Sequence, residues 1–378
     1  MKIFIDASNI IPESGGAVHL ERFLINLSKK KTIVEVAASK LLIRSLNIKT
    51  TTNVKFYKNN FLDKNILFRL IWKLFIFYFY LKKNDHSIAY ILNGYYFFKP
   101  KNIRIAIFIQ NLLPFSKRGL EMSNIFVFIK NKILLLLHNS SIKRSDLTIF
   151  PSKFFYKTIN VKPKKFCIIN HGVEEDFFQK RTNFKIYNHT DLSNPFKIMY
   201  LSKYEGYKNH INLVGAINIL KKKGLNISLS LIGVEKKQNK GTKLLSEIKN
   251  INNLYPNLIK FTKIQKHKNL NFLFNKFDLH VYPSICESFG IIILETIASS
   301  LPIICSDFSV FKEILKKNTL YFDPLDQTDI ANKILYYIKN YKLRKKNTNK
   351  LRSTAKKFNW KKSCNLTFNI LLETSKNR

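Results

Sequence analysis

Residues 277–295 read FDLHVYPSICESFGIIILE, and they decide the fold. A run of apolar residues ends at Pro283, a short loop with Glu287 and Gly290 follows, and a second apolar run leads to Glu295. This order predicts a buried strand, a tight loop and the start of a helix. A helix start presents free backbone N–H groups and a positive dipole end to an anion, and a glycine lets a ligand approach the backbone closely.

The two carboxylates of this stretch are eight positions apart. Eight residues of helix make just over two turns, so we expect Glu287 and Glu295 to face the same cleft. Phosphates at the helix start and hydroxyls around both glutamates indicate a nucleotide-sugar ligand. A purely structural interpretation is open, because acidic residues at a helix start are favoured by its dipole and Glu295 can lie on a solvated face.

The pattern Tyr-Pro-Ser-x-x-Glu-Ser-Phe-Gly-x4-Glu at 282–295 resembles the Glu-x7-Glu signature of the retaining glycosyltransferases of family 4. Residues 301–307, LPIICSD, and 320–326, LYFDPLD, are similar to the segments that follow the signature in that family. The resemblance implies an α/β protein of the GT-B fold, with two facing Rossmann-like domains and an active site in the interdomain cleft.

A chain of 378 residues is long enough for two such domains. We place an N-terminal, acceptor-side domain at 1–180 and a nucleotide-sugar-binding domain at 196–358. The resemblance implies that the C-terminal helix, 359–378, packs back on the first domain.

The resemblance also implies roles around the donor. Lys203 and Lys208 follow a predicted strand and match the basic pair that clamps the donor diphosphate in that family. Glu287 would bind donor-sugar hydroxyls or support the developing positive charge, and Glu295 would hold the ribose hydroxyls. The catalytic residues are then Glu287, Lys203 and Lys208, and the donor site is completed by Gly15, Gly16, Ser288, Phe289, Gly290, Ile291 and Glu295.

Two predictions concern the first domain. Gly15 and Gly16 stand between a first strand at 2–7 and a helix, where a backbone can approach a phosphate. Gln110 and Asn111 follow a buried-type strand, at the place where many members of the family carry His-Asp. Neither side chain titrates, so either the reaction proceeds without that histidine or the alignment is shifted; Gln110 can still bond a sugar hydroxyl.

The implied reaction moves a sugar from a nucleotide-sugar to a hydroxyl with retention, and it uses no metal ion and no further cofactor. The two lysines and the helix dipole would stabilise the leaving diphosphate, the role that a metal has elsewhere. Attack on the same face, assisted by the leaving phosphate, needs no dedicated base.

The charge of the chain is extreme. Lys and Arg number 65 against 24 Asp and Glu, which gives a net charge of +41. A polyanionic partner explains this, and so in part does a compositional bias toward Lys, Asn, Ile and Phe. Nucleic acid is disfavoured because the sequence has no RNP, zinc-finger or helix-turn-helix motif. An anionic membrane surface is the better partner.

Two apolar stretches bear on that partner. Residues 64–83 combine an aromatic, apolar run with flanking lysines, and Arg69 and Lys73 interrupt the run. They predict either an interfacial helix with its basic residues on lipid headgroups or a helix packed in the first domain. Residues 125–137 form a second candidate, which we expect to pack on the sheet because a strand follows it.

These predictions point to a peripheral protein at the inner face of the plasma membrane, in the cytoplasm. Four widely spaced cysteines are typical of a reducing compartment. A polyprenyl-linked glycan is the expected acceptor, as in bacterial surface polysaccharide or lipopolysaccharide O-antigen assembly. The alternatives are a nucleotide-sugar epimerase of the same fold and a non-catalytic basic protein that binds lipid or nucleic acid.

Overall fold

The computed structural model describes residues 1–48, 51, 53–57, 60–63, 66–178, 184–187, 193–234, 242–263 and 267–376. Two compact units divide the chain: unit 1 comprises Met1–Phe115, Ile129–Gly172 and Asn359–Arg378, and unit 2 comprises Ser116–Phe128 and Val173–Phe358. The predicted domain boundaries stay predictions. Much of the segment between them, 179–183 and 188–192, lies outside the described residues, as do residues 64 and 65 of the predicted membrane stretch.

The strands are short and mostly buried. In chain order they are β1 Lys2–Asp6, β2 Ile33–Ala37, β3 Val54–Tyr57, β4 Ile88–Leu92, β5 Arg104–Phe108, β6 Leu147–Phe150, β7 Phe166–Ile168, β8 Phe196–Leu201, β9 Ile227–Ile232, β10 Ile259–Thr262, β11 Leu279–Tyr282, β12 Ile303–Ser306 and β13 Tyr321–Phe322.

Helices connect the strands. They are α1 Gly15–Ser28, α2 Lys40–Ser45, α3 Ile66–Ile71, α4 Phe77–Lys83, α5 Lys117–Glu121, α6 Ile125–Arg144, α7 Lys153–Thr158, α8 His210–Lys222, α9 Lys243–Leu254, α10 Leu270–Phe274, α11 Ile291–Ala298, α12 Ser309–Leu315, α13 Gln327–Lys339, α14 Tyr341–Ala355 and α15 Trp360–Lys376. A π-helical turn, Trp72–Ile76, joins α3 to α4.

Each unit contains one parallel sheet. The order is β3-β2-β1-β4-β5-β6-β7 in unit 1 and β10-β9-β8-β11-β12-β13 in unit 2. Central strands such as β4 are buried along their whole length, as expected when helices cover both faces of a parallel sheet. The prediction of two Rossmann-like α/β domains is confirmed.

The strand order reverses at an equivalent point in both sheets. In unit 1 the reversal lies between β1 and β4, and in unit 2 between β8 and β11. Loops leave the two strands in opposite directions at such a switch point, and this opens a crevice outside their carboxyl ends. The residues that follow these four strands are therefore the ones to inspect for a ligand site.

Helix α15 completes unit 1 although it is distant from it in sequence. Asn26 donates to Asn365 at 3.2 Å, and the Ser363 hydroxyl donates to the carbonyl of Asn170 at 2.7 Å. A Cβ added at Gly172 would overlap the backbone of Trp360, so only glycine allows this approach.

The helix over 66–83 packs on unit 1 with one side and exposes the other. Trp72 and Phe77 are buried, whereas Phe75 and Phe79 are exposed. Of the two alternatives for this stretch, Lys73 follows the one in which the helix packs in the first domain, and not the one in which its basic residues lie on lipid headgroups. Its ammonium lies 2.5 Å from Asp6, and both side chains are buried. The requirement of a buried carboxylate for a partner outweighs the solvation of the lysine.

Helix α6 also departs from expectation. We expected its apolar residues to pack on the sheet, but Phe126 and Leu136 are exposed while Asn131, His138 and Ser141 are buried. Because apolar residues occur around the whole circumference, the sequence did not indicate which side would face inward. Among the described helices, α6 alone is long and apolar enough to cross a membrane by length and composition.

Candidate active site

The switch point of unit 2 brings two loops together. β8 and β11 are paired, so the segment that leaves β8 at Ser202 lies beside the segment that leaves β11 at Pro283. The amide of Ile285 donates to the carbonyl of Tyr207 at 3.0 Å, which joins the two segments directly. The first segment carries Lys208 and the second carries Glu287.

Lys208 and Glu287 form an ion pair. Lys208 Nζ lies 2.5 Å from Glu287 Oε1, and the Tyr282 hydroxyl donates to the same oxygen at 2.8 Å. The lysine side chain is 18% exposed and the glutamate 13%, so the pair is shielded but reachable by a ligand. The two catalytic candidates that lie in different loops are thus in contact.

Charges and burial shape this pair. Burial opposes the charge of Lys208, but the carboxylate of Glu287 outweighs it, so the pKa of Lys208 is raised well above its ordinary value. Burial and then the charge of Glu287 raise the pKa of Tyr282, which therefore remains a hydrogen-bond donor. At neutral pH the site presents a fixed positive charge beside a carboxylate.

Two residues shape the loop that holds Lys208. A Cβ at Gly206 would overlap the carbonyl oxygen of Met122, so glycine is required where this loop meets the segment after α5. Asn209 has a left-handed backbone with φ of 59°, and its side-chain amide donates to the carbonyl of Pro324 at 2.5 Å. The loop is therefore set by its surroundings before any ligand binds.

Helix α11 begins at the end of the other loop. Gly290 is its N-cap residue and has φ of 96°, a conformation that favours glycine. Gly290 has no side chain to accept hydrogen bonds from the first-turn amides, so this helix start can be capped by an anion.

Glu287 and Glu295 do not share a helix, so the two-turn helical spacing that was used to place them on one cleft does not apply, although Glu287 lies in a loop as predicted. Glu287 lies in the loop before α11, and only Glu295 is helical, because the left-handed Gly290 ends the loop between them. Their contacts differ accordingly, since Glu287 bonds to Lys208 whereas Glu295 lies 2.6 Å from Nε2 of His267.

Glu295 is buried, not solvated. Its side chain is 2% exposed, and its Oε2 has no hydrogen-bond partner among the described residues. His267 also lies 3.6 Å from Glu174, so it stands between two carboxylates of unit 2. One buried carboxylate oxygen therefore remains available for a hydroxyl donor.

The remaining donor-site candidates in unit 2 differ in their exposure and contacts. Lys203 is exposed after β8, and among the described residues the ion pair of Glu287 is made by Lys208 instead. Phe289 is buried with its ring 5.8 Å from that of Phe358, which is a packing contact. Ser288 and Ile291 are half-buried beside the helix start.

In unit 1 the glycine pair belongs to a helix. α1 begins at Gly15, and the hydroxyl of Ser14 caps it by accepting from the amide of Ala17 at 3.3 Å. A Cβ at Gly16 would lie 3.0 Å from Oε1 of Gln110, so Gly16 and Gln110 are neighbours.

Gln110 and Asn111 differ in their contacts. Both polar atoms of the Gln110 side chain are buried without a partner among the described residues. Asn111 accepts from the amide of Leu113 at 3.1 Å, so it shapes the turn after β5. Of the two, Gln110 is the one with hydrogen-bonding capacity to spare.

Residues 182–357 match the family described as glycosyl transferases group 1. This part of the chain is a glycosyl transferases group 1 domain. The match confirms the resemblance drawn from the Glu-x7-Glu pattern. The matched range includes Lys203, Lys208, Glu287 and Glu295.

A curated relative is a glycosyltransferase as well. The chain is 28% identical over 174 residues to the O-antigen chain mannosyltransferase RfbU of Salmonella typhimurium, an alignment that covers 45% of this chain and 44% of that protein. The chain thus spans less than half the length of that relative.

Solved structures share the fold over nearly the whole chain. Sucrose-phosphate synthase of Thermosynechococcus elongatus has a TM-score of 0.74 at 14% identity, covering 99% of this chain and 98% of that one. Alr3699/HepE of Anabaena, solved with UDP and glucose, has a TM-score of 0.69 at 15% identity, covering 99% and 100%.

Sequence reasoning missed several parts of the glycosyltransferase domain. It did not find Tyr282 as a donor to Glu287, Asn209 as the tie to Pro324, or His267 beside Glu295. Asn209 follows a Gly-x-Lys turn, and an asparagine there can adopt a left-handed backbone, which is the one signal that was present. His267 carried no such signal, since it meets Glu295 only through the fold.

Proposed function

We propose that this protein is a retaining glycosyltransferase that moves a hexose from a nucleotide-sugar to a hydroxyl of a lipid-linked glycan in surface polysaccharide assembly. The observation that carries the proposal is the half-buried Lys208–Glu287 pair at the switch point of a group 1 domain, beside the start of α11. A mannosyltransferase of O-antigen chains among the relatives and a UDP complex among the structural neighbours support the choice of reaction.

The pair supplies the binding chemistry. When a donor diphosphate enters, Lys208 would give its hydrogen bonds to a phosphate oxygen, and the amides of α11 would bind another. Glu287 would then accept from hydroxyls of the donor sugar while Tyr282 continues to hold it. Both partners keep their charges, so the exchange of one ion pair for another costs little.

The transfer step breaks the bond between the anomeric carbon and the phosphate oxygen, and the electron pair leaves with the diphosphate. Lys208 and the helix start stabilise that charge, and the carboxylate of Glu287 stabilises the positive charge on the sugar. The acceptor oxygen attacks from the same face, and its proton passes to the leaving phosphate. This sequence uses no metal ion.

The nucleoside is assigned to Glu295. Its unpartnered Oε2 would accept from a ribose hydroxyl, and His267 would hold the carboxylate in place. In unit 1, the unpartnered amide of Gln110 would serve the acceptor or the sugar. The acceptor is lipid-linked, and the protein works at the inner face of the plasma membrane, because a chain of net charge +41 is attracted to anionic lipid.

Thermal unfolding with UDP, GDP, CDP and ADP tests the donor site, with and without a chelator of magnesium. A nucleotide at 100 times its dissociation constant adds about 2.7 kcal/mol, a readily measured shift. We expect one nucleotide to raise the midpoint without magnesium, and Lys208→Met to abolish the shift. Lys197→Met, an exposed lysine of β8, is the matched control.

Transfer itself is measured with the sugar of the nucleotide that binds. The anomeric configuration of the product, read by NMR, should equal that of the donor. Conversion of the donor without any acceptor would indicate an epimerase instead. If no nucleotide stabilised the folded protein, the glycosyltransferase proposal would be wrong and a basic binding protein would be favoured.

A further inference from the structure

The outer face of α6 is apolar. Side chains of Ile125, Phe126, Ile129, Ile133 and Leu136 are between 51% and 82% exposed. At about 100° per residue these five positions fall within an arc of about 100°. They form one stripe along the helix, and exposed apolar stripes of this kind mark surfaces that bind a partner.

Polar side chains of α6 outside this stripe and at the end of the helix are fixed to unit 1. Ser141 accepts from the amide of Tyr96 at 3.1 Å, and Arg144 donates to the carbonyl of Tyr96 at 2.8 Å. His138 is buried, with its ring 6.2 Å from that of Tyr95. The helix therefore cannot turn its apolar stripe inward without losing these bonds, and its polarity is the reverse of a helix on a soluble core.

The positive charge of α6 indicates which kind of partner binds the stripe. The helix contains Lys130, Lys132, Lys143 and Arg144 and no acidic residue. Lys130 and Lys132 are exposed on the two flanks of the stripe. An apolar stripe between basic residues fits a bilayer surface with anionic headgroups, where acyl chains take up the stripe and phosphates pair with the lysines.

A second set of exposed apolar residues adjoins the first. Phe98 is exposed, and the ring of Tyr78 in α4 lies 6.1 Å from it. On the same helical segment Phe75 and Phe79 are also exposed. The segment 95–98 thus touches both α4 and α6, since Tyr96 is the partner of Ser141 and Arg144.

We propose that the outer face of α6, together with Phe75, Phe79 and Phe98, is a surface that binds an anionic lipid bilayer. The helix lies along the bilayer and does not cross it, because its polar side is bonded to the protein. The inference deepens the proposed function and rests on it for the lipid-linked acceptor, but the binding itself needs no catalysis.

The experiment is cosedimentation with vesicles of phosphatidylglycerol and phosphatidylcholine in equal parts, and with phosphatidylcholine alone. The test variant is Ile133→Glu/Leu136→Glu. The control is Leu41→Glu/Leu254→Glu, which introduces the same two charges at leucines that are 67% and 69% exposed on other helices. A second test variant, Phe75→Glu/Phe79→Glu, addresses the other half of the surface.

We expect the wild type and the control to bind anionic vesicles equally and the α6 variant to bind at least about tenfold more weakly. The variant Phe75→Glu/Phe79→Glu should also bind anionic vesicles more weakly. High salt should weaken the binding of every variant and of the wild type. Undiminished binding by the α6 variant would overturn the proposal. So would a wild type that ignores vesicles but dimerises in sedimentation velocity while the α6 variant stays monomeric, since the stripe would then cover a second copy.

Nucleotide stabilisation separates this inference from the proposed function. The α6 variant should keep the same nucleotide-induced shift of the unfolding midpoint as the wild type, which also establishes that it is folded. If the wild type bound vesicles but no nucleotide raised its unfolding midpoint, the bilayer-binding proposal would stand and the glycosyltransferase proposal would be wrong.

Discussion

The switch points of the two units contain the same chemical pair in different surroundings. In unit 1 Lys73 Nζ lies 2.5 Å from Asp6, with side-chain exposures of 1% and 0%. In unit 2 Lys208 Nζ lies 2.5 Å from Glu287, with exposures of 18% and 13%. Both pairs lie where the strand order reverses, so the difference in burial is what separates them.

Burial decides what each pair can do. Asp6 ends β1, and Lys73 reaches it from the π-helical turn between α3 and α4, with aromatic rings of Phe77 and Tyr95 within 6 Å of its ammonium. No ligand can replace either partner there without opening the core. Lys208 and Glu287 come from loops that a ligand can reach, so the pair of unit 2 can exchange partners and the pair of unit 1 ties a helix to its sheet.

The largest effect is expected from breaking the buried pair. Lys73→Met leaves the carboxylate of Asp6 buried and unpaired, which should cost about 3–5 kcal/mol of unfolding free energy. Urea unfolding measures this loss, and Lys82→Met, at an exposed lysine of α4, is the control. The double variant Asp6→Leu/Lys73→Met should recover most of the loss. A single variant within 1 kcal/mol of the wild type would contradict the structural role.

Breaking the half-buried Lys208–Glu287 pair should affect catalysis more than stability. Lys208→Met removes the positive charge that meets the leaving diphosphate, and kcat/KM should fall about 10²–10³-fold, or about 3–4 kcal/mol. The unfolding midpoint should move less than in Lys73→Met. Lys197→Met should leave both quantities unchanged. If Lys208→Met lowered the unfolding free energy strongly but kept its kcat/KM, the Lys208–Glu287 pair would be structural, and our contrast with the Lys73–Asp6 pair would be wrong.

Lys73 and Lys208 each have a buried histidine nearby. The two histidines should make the free energy of unfolding fall in acid. Burial, and then the charge of Lys73, lower the pKa of His138 to about 4; burial, and then Lys208, lower the pKa of His210 to about 3. Because the folded pKa values lie below the unfolded value near 6.5, the unfolded chain binds these protons first.

The stability that these histidines contribute is complete above pH 6.5 and is lost as the pH falls toward the folded pKa values. Between pH 7 and pH 5 each should cost about 2 kcal/mol. Unfolding free energies of His138→Gln and His210→Gln across this range should each show a shallower decline than the wild type. Parallel curves for variant and wild type would exclude the effect.

The smallest effect is expected from an exposed pair of the same length. Lys165 Nζ lies 2.5 Å from Glu373, but the side chains are 41% and 56% exposed. Lys165→Ala should change the unfolding free energy by at most about 1 kcal/mol, because solvent screens the pair. A loss as large as that of Lys73→Met would mean that distance, not burial, sets the contribution.

The fold was accessible from the sequence because it repeats a local pattern. Short apolar runs that end in polar loops, such as 277–282, identify buried parallel strands, and the strand order then follows from the family. The same holds for Lys208 and Glu287, since each lies in the loop that follows a recognisable strand. Their contact needs only the pairing of β8 with β11.

The rest depended on contacts that no local pattern contains. Lys73 interrupts an apolar run, and nothing near it in sequence points to Asp6, 67 positions away. The inverted orientation of α6 was hidden because its apolar residues surround the helix. The break between Glu287 and Glu295 depends on the backbone of Gly290, whereas the spacing alone fits an uninterrupted helix.

Neither unit is continuous in sequence, and this has a consequence for synthesis. Unit 1 takes in residues 359–376, where Ser363 and Trp360 meet the backbone near Gly172, so its packing cannot be completed until the ribosome has made all of unit 2. Unit 2 in turn includes residues 116–128, which the ribosome makes before the rest of that unit. We expect late, slow maturation of unit 1, because its closing contacts join parts of the chain that are far apart in sequence.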